Sequence, residues 1–288
     1  MSRPEFIAEV SSNHHTDLDR CLRFIDTAAE IGCAGVKFQL FQVRDLFAPE
    51  ILARSPSHRA REAWELPVEF LPILSEHARH HGLRFGVTPF DLMAVDIASR
   101  WCDFLKVSSY ELLWGDLLSA CRDTGLPIVL STGMADLDEV SAAMEVLEGA
   151  AGITLLHCVS SYPVPASSCN LAAIGTLRER FGGMVGWSDH SRDPAVVRRA
   201  VDRWGASMVE FHLDLEGQGV EYAAGHCWLP EEMAPVIAGR GGRDVPEADG
   251  TGIKAPVDAE LPDREWRADP SDGLRPFLAV RNAWEAGS

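Results

Sequence analysis

Three lysines stand among 26 basic residues, and two of them lie where a charge is costly. Lys37 falls in Ala-Gly-Val-Lys-Phe-Gln-Leu and Lys106 in Phe-Leu-Lys-Val-Ser-Ser. Both stretches are apolar and β-branched, the pattern of a buried parallel strand. An unpaired buried ammonium costs several kcal/mol, so each lysine must meet a carboxylate or point into a polar hollow. Two lysines from two strands fit an anionic ligand held in a barrel mouth. Two internal ion pairs would satisfy the same residues.

The histidines supply a second pattern. His190 and His212 are one strand-helix unit apart in the chain, which puts them on the ends of neighbouring strands. Two neutral imidazoles suit Mn, Fe, Co or Zn and leave coordination positions for water and substrate. His226, in Ala-Gly-His-Cys-Trp-Leu-Pro, is a third candidate, and Asp189 and Glu210 flank the pair as carboxylates expected to orient the rings. Taken singly, each of these histidines is more often a structural residue. His157, inside the apolar Leu-Leu-His-Cys, reads as a core histidine.

The elements that must position these groups alternate regularly. Strands are expected at 5–10, 34–40, 83–88, 103–109, 127–131, 152–157, 183–188 and 207–212, with helical patterns between them such as 17–31. Asp91 and either Asp136 or Asp138 are expected to cap helices. Gly32, Gly82, Gly125 and Gly205 fall where helices end. Eight such units in 288 residues predict a (β/α)8 TIM barrel over residues 1–240, followed by an irregular extension, 241–288, packed on it with Trp266 and Phe277 as anchors. The long connection 41–81 reads as a lid or substrate loop. A barrel places its active site at the carboxyl ends of its strands. Read in order, those ends carry Glu9, Lys37 with Gln39, Thr88, Lys106 with Ser109, Ser131 with Thr132, His157 with Ser160, Ser188 with His190, and His212. Alternation turns Lys37 and Gln39 to the same side.

The net charge of -17 argues against nucleic acid and anionic membranes as partners. No apolar run reaches the ~20 residues of a membrane helix, and no secretory leader is evident. The odd, scattered set of seven cysteines fits reduced thiols, so a cytoplasmic location is expected. Walker, dinucleotide-binding and serine-hydrolase motifs are missing.

Taken together, FIAEVSSNHHTDLDR (6–20), AGVKFQLF (34–41), FGVTPFD (85–91), FLKVSSYEL (104–112), LPIVLSTGMADLDEV (126–140), LLHCVSSYPVP (155–165), VGWSDHS (185–191) and VEFHLDL (209–215) resemble the N-acetylneuraminate (sialic acid) synthase family. The resemblance implies a barrel that condenses phosphoenolpyruvate with an aldose, giving a 2-keto-3-deoxy sugar acid and phosphate, with a divalent metal, typically Mn²⁺. It implies His190 and His212 as metal ligands. Lys37, Thr88, Lys106, Ser109, Ser131 and Ser188 then hold the phosphate and carboxylate, with Ser160 beside them. Glu9 becomes the acid/base or water-orienting carboxylate, and Gln39 and Tyr162 lie towards the sugar. A homodimer is the expected assembly.

Departures from the family pattern concern the acceptor half. The usual C-terminal antifreeze-like domain is not recognisable in 241–288. Glu-Tyr-Ala-Ala-Gly-His-Cys-Trp (221–228) replaces a Gly-Pro-Asp-His stretch, leaving Glu221 or His226 to act near the aldehyde. The connection 41–65 lacks a clear Asn for the sugar. A changed acceptor is the expectation, and Asp-Gly-Leu-Arg-Pro (272–276) offers an arginine in place of the domain. A regulatory or partner-dependent barrel that binds these ligands without turnover is the alternative, with a metal-dependent aldolase or isomerase behind it.

Overall fold

Residues 3–286 are described by a computed structural model. Eight parallel strands close into one barrel in chain order: β1 (Glu5–Glu9), β2 (Gly35–Leu40), β3 (Arg84–Pro89), β4 (Phe104–Val107), β5 (Ile128–Ser131), β6 (Ile153–His157), β7 (Met184–Asp189) and β8 (Met208–His212). Each expected strand is present, with ends moved by a residue or two. The helix expected at 17–31 spans Leu18–Glu30. Asp91 accepts from Ala94 N at 2.7 Å. Asp136, rather than Asp138, caps its helix in a reciprocal box with Glu139, an arrangement worth ~1 kcal/mol.

Alternation sorts every strand into two inward layers. Ile7, Phe104, Val129, Leu156 and Met208 make an apolar plug low in the barrel. Gly86 is what admits the Phe104 ring, since a Cβ there would run into it. Two residues beyond Phe104, Val129 and Met208, and beyond Gly35, Gly86 and Gly186 on the other strands, come Lys106, Ser131, Glu210, Lys37, Thr88 and Ser188. Register keeps this second layer level: Glu9 is opposite Lys37 on one side and His212 on the other, Gln39 is opposite Thr88, and Ser188 is opposite Glu210. The larger apolar core lies between the sheet and the surrounding helices, so the inside of the barrel is free to be polar at its upper end.

Two irregular regions roof this end. The connection after β2 breaks into short helices at Val43–Leu46, Pro49–Arg54 and Pro56–Arg59. The tail lies against it: Phe47 bridges to Arg275, Ala48 N donates to Arg275 O at 2.9 Å and Arg275 N to Leu46 O at 2.9 Å. The tail is less irregular than expected, for it ends in the helix Leu278–Ala286. Its inner surface is charged, with Lys254, Glu260, Arg267, Arg275 and Arg281 all buried, whereas the expected anchors Trp266 and Phe277 are only half-buried. No helix among the described residues is long and apolar enough to cross a membrane.

Candidate active site

The upper layer encloses a cavity of about 160 Å³, walled by Glu9, Lys37, Gln39, Thr88, Lys106, Ser109, Ser131, Tyr162, Ser188, His190, Glu210 and His212 among others. Both lysines face inward and are almost completely buried. Lys37 Nζ pairs with Glu9, donates to Thr88 Oγ1 at 3.0 Å and lies 3.8 Å from Glu210. Lys106 Nζ donates to Val107 O at 3.1 Å and lies 3.8 Å from the other oxygen of Glu210. Ion pairing and a ligand hollow therefore coexist. Burial lowers the Lys37 ammonium to about 7, against the raising effect of Glu210. For Glu210 burial acts upward, but Lys106 and Lys37 hold it below the usual carboxylate range.

Beside the lysines lies hydroxyl-bearing space. The Ser131 and Ser160 hydroxyls are buried without a partner, a state that costs free energy unless a ligand or water supplies the bond. Gly133 N donates to Ser109 Oγ at 2.9 Å, and a Cβ on Gly133 would collide with the Ser109 and Ser160 hydroxyls. Ser160 itself is not part of the cavity wall, so its expected direct contact passes to Ser109 and Ser131.

The imidazoles stand at the rim. His190 and His212 have ring centroids 5.6 Å apart. His190 Nδ1 is 2.8 Å from Val159 O and His212 Nδ1 is 2.9 Å from Glu221, which leaves Nε2 of each ring for a ligand. Burial and then His212 hold His190 well below its usual value, so its ring is neutral. Two rings held through Nδ1, each with a free Nε2, fit a divalent transition metal. The flanking carboxylates do not orient these rings. Asp189 is turned away, accepting from the indole N–H groups of Trp187 and Trp228, each at 2.9 Å, and Glu210 is taken by the lysines. The orienting groups are the Val159 carbonyl and Glu221, neither recognisable from spacing. His157 is a core residue as expected, bonded to Cys169 O at 2.9 Å and lowered to about 3 by burial.

Outside the rim opens a chamber of about 520 Å³ that shares Gln39, Tyr110, Tyr162, His212 and Arg275 with the inner cavity. The connection after β2 contributes Phe47, His58, Arg61 and Trp64, and the tail contributes Asp263, Trp266 and Arg275. His58 stacks on Trp266 with centroids 5.0 Å apart and rings 4° from parallel. The Arg275 guanidinium is bonded to the buried Glu111 and lies 4.3 Å over the Tyr110 ring. Tyr162, 39% exposed, packs its ring 4.2 Å from His190 and 4.9 Å from His226. Glu221 accepts from the Ser11 and Ser12 hydroxyls at 2.5 and 2.6 Å and lies 3.5 Å from His226 Nε2. Burial acts to raise it, yet hydrogen bonds from His212 and His226 hold it well below the usual range. His212, Glu221, His226 and Cys227 bring ligand atoms within 4.8 Å of one another, so His226 lies in a donor cluster with His212. Among the tail's contributors Arg275 was marked in the sequence as a site group and Trp266 only as an anchor; His58, Arg61 and Trp64 had no signal beyond lying in the connection 41–81, and Glu111 had none.

A family model described as the NeuB family matches residues 24–254. An N,N'-diacetyllegionaminic acid synthase of Legionella pneumophila is 34% identical, over 90% of this chain and 76% of its own length. Among solved structures, the spore coat polysaccharide biosynthesis protein of Bacillus subtilis superimposes with a TM-score of 0.79 at 26% identity, covering 92% of this chain and 78% of that one. An N-acetylneuraminic acid synthetase of Leptospira borgpetersenii, in complex with citrate, gives 0.74 at 28% identity, covering 92% and 91%.

Proposed function

The chain belongs to the NeuB family, and on that footing we propose that it condenses phosphoenolpyruvate with an aldose-type acceptor, yielding a 2-keto-3-deoxy sugar acid and inorganic phosphate. One observation carries the reading: two buried ammonium groups and a set of hydroxyls surround a cavity of about 160 Å³ that opens beside two imidazoles into a wider chamber. A small doubly anionic acid matches the inner space, and a polyhydroxylated aldehyde matches the outer one.

Lys37, Lys106, Thr88, Ser109, Ser131 and Ser188 bind the phosphate and carboxylate, the lysines acting as point charges and the hydroxyls completing the shell. Gln39 and Tyr162 face the acceptor and keep its aldehyde against C3 of the enolpyruvate, which saves the entropy of bringing two molecules together. Carbon–carbon bond formation leaves cationic character at C2. Glu9, steadied through Oε1 by Ser11 N at 2.9 Å and Gln39 at 3.0 Å, orients the water that adds there and takes its proton. Phosphate then leaves by C–O cleavage. The aldehyde oxygen gains its proton on the side where Glu221 and His226 face the chamber. His190 and His212 would hold a divalent ion, Mn²⁺ in this reading, which would supply Lewis acidity at the cavity mouth. The acceptor is an aldose other than the family's usual ones, a reading supported by the stretch Glu-Tyr-Ala-Ala-Gly-His-Cys-Trp (221–228), whose Glu221 and His226 line the chamber.

The test is mass spectrometry of products from phosphoenolpyruvate, Mn²⁺ and a pool of aldoses and amino sugars. The expected product has the mass of aldose plus pyruvic acid, and label in the bridging oxygen departs with phosphate. No product and no phosphate across the pool sinks the proposal; tight binding of phosphoenolpyruvate without turnover favours the partner-dependent alternative.

A further inference from the structure

We propose that Asp26, His77 and His81 form a second, peripheral site for a divalent transition metal, outside the barrel and separate from its mouth. His77 and His81 lie one turn apart at the end of the helix Leu71–His80, so both rings face the same side. That side meets the helix Leu18–Glu30, which carries Asp26. Asp26 Oδ1 is 2.7 Å from His77 Nε2 and 3.1 Å from His81 Nε2, and the three ligand atoms lie within 4.8 Å of one another. A tetrahedral ion with bonds of about 2.0–2.1 Å holds its ligand atoms roughly 3.3 Å apart. The Asp26 oxygen, 2.7 and 3.1 Å from the two nitrogens, needs to move from each by well under 1 Å to admit one. The side chains are 29–42% exposed, which leaves room for water to complete the shell. Two imidazoles and one carboxylate select Zn²⁺, Co²⁺, Ni²⁺ or Cu²⁺ over Mg²⁺ or Ca²⁺. A bound ion ties the helix following β1 to the helix preceding β3 and stabilises the fold by mass action.

The experiment is a Zn²⁺ titration of the full chain by calorimetry and thermal shift, on wild type, His81→Ala and His190→Ala. Wild type is expected to bind two equivalents, with each variant losing a different one. Turnover of His81→Ala is expected to stay at the wild-type level. Unchanged stoichiometry and affinity in His81→Ala overturns the site, and so does a wild type whose only equivalent disappears in His190→Ala. Should His81→Ala fail to fold, Asp26→Asn carries the same expectation.

A separate observation concerns the tail. We infer that Glu260 is a positioning residue for the hydroxyl-bearing loops of the inner cavity, an inference that rests on the proposed function. Glu260 is 1% exposed. Its Oε1 accepts from Met134 N at 2.8 Å and Ser160 N at 2.6 Å, and its Oε2 from Val257 N at 3.0 Å. One carboxylate oxygen thus joins the loop after β5, which carries Gly133, to the loop after β6, which carries Ser160. Lys254 donates to Ala135 O and Arg264 to Met134 O at 3.0 Å, clamping the same loop from the tail. Among the described residues, Glu260 is the point where the tail reaches both loops at once, and the space between them is the one a Gly133 side chain would fill.

Glu260→Ala and Glu260→Gln, each checked for folding by its thermal melt, are read two ways. Hydrogen exchange at Met134 and Ser160 is expected to accelerate in Glu260→Ala, and affinity for phosphoenolpyruvate to fall at least tenfold with kcat changed less than KM. Gln keeps an acceptor oxygen and is expected to restore most of both. Unchanged exchange, or faster exchange with unchanged affinity, overturns the inference. If wild type binds no phosphoenolpyruvate, the proposed function fails while the exchange measurement still decides whether Glu260 holds the loops.

Discussion

The inner cavity and the outer chamber adjoin, yet they are built on opposite principles. Apart from Arg275, every wall group of the inner cavity sits on a strand or within a few residues of its end, and register sets their heights. The outer chamber is assembled from segments far apart in the chain, as when His58 meets Trp266 or Glu111 meets Arg275. The strands hold most of the first directly, with the tail reaching the loops after β5 and β6. The second exists only where the connection after β2 and the tail zip together. Chemistry common to many acceptors belongs on the rigid part, and choice of acceptor on the part that can be rebuilt without disturbing the strands.

The largest expected effect is on the inner side. Lys37→Met leaves the buried Glu9 carboxylate without its counter-charge, which costs about 3–5 kcal/mol of stability. Phosphoenolpyruvate-dependent turnover falls on the order of 100-fold or more. Denaturant unfolding and phosphate release measure the two, and a fully active variant would remove the anion site from the cavity.

Next is His190→Ala. Its metal affinity should drop by more than the roughly 10–100-fold that follows loss of an outer-sphere partner, as elemental analysis after dialysis can report. A metal content undiminished from wild type would shift the centre to the cluster of His212, Glu221, His226 and Cys227.

Trp266→Ala should spare the inner cavity and damage the outer chamber. The acceptor KM rises ~10-fold, in keeping with an aromatic contact of about 1–1.5 kcal/mol, while affinity for phosphoenolpyruvate is unchanged. If both substrates weaken together, the division into two independently built regions is wrong.

The effect that touches neither substrate lies outside both spaces. Burial lowers His157 to about 3 and His14 to about 4. Below the ordinary imidazole value the unfolded chain binds protons that the folded one does not, so stability falls as pH drops from 6.5 toward 4. Each such histidine contributes ~2 kcal/mol of that loss between pH 6.5 and 5. Unfolding of wild type and His157→Gln at the two pH values should show a shallower decline in the variant.

Much of the barrel was legible because strand and helix periodicities are local. Lys37 and Lys106 betrayed the cavity because lysine is so seldom placed in an apolar strand. Asp189 shows where that reasoning stopped: adjacency to His190 suggested support for the ring, but two indoles claim its oxygens instead. Nothing near Glu260 in the chain hinted that its carboxylate would reach Met134 and Ser160, and the tail was expected to anchor through Trp266 and Phe277 rather than through buried charges.

Residue order alone determined which groups line the inside of the barrel, since side chains alternate along a strand and parallel neighbours stay in step. Only the folded structure decided which partners those groups keep and what encloses the acceptor. Hydrogen bonds and stacked rings between distant segments depend on how two irregular stretches pack, and no local periodicity records that.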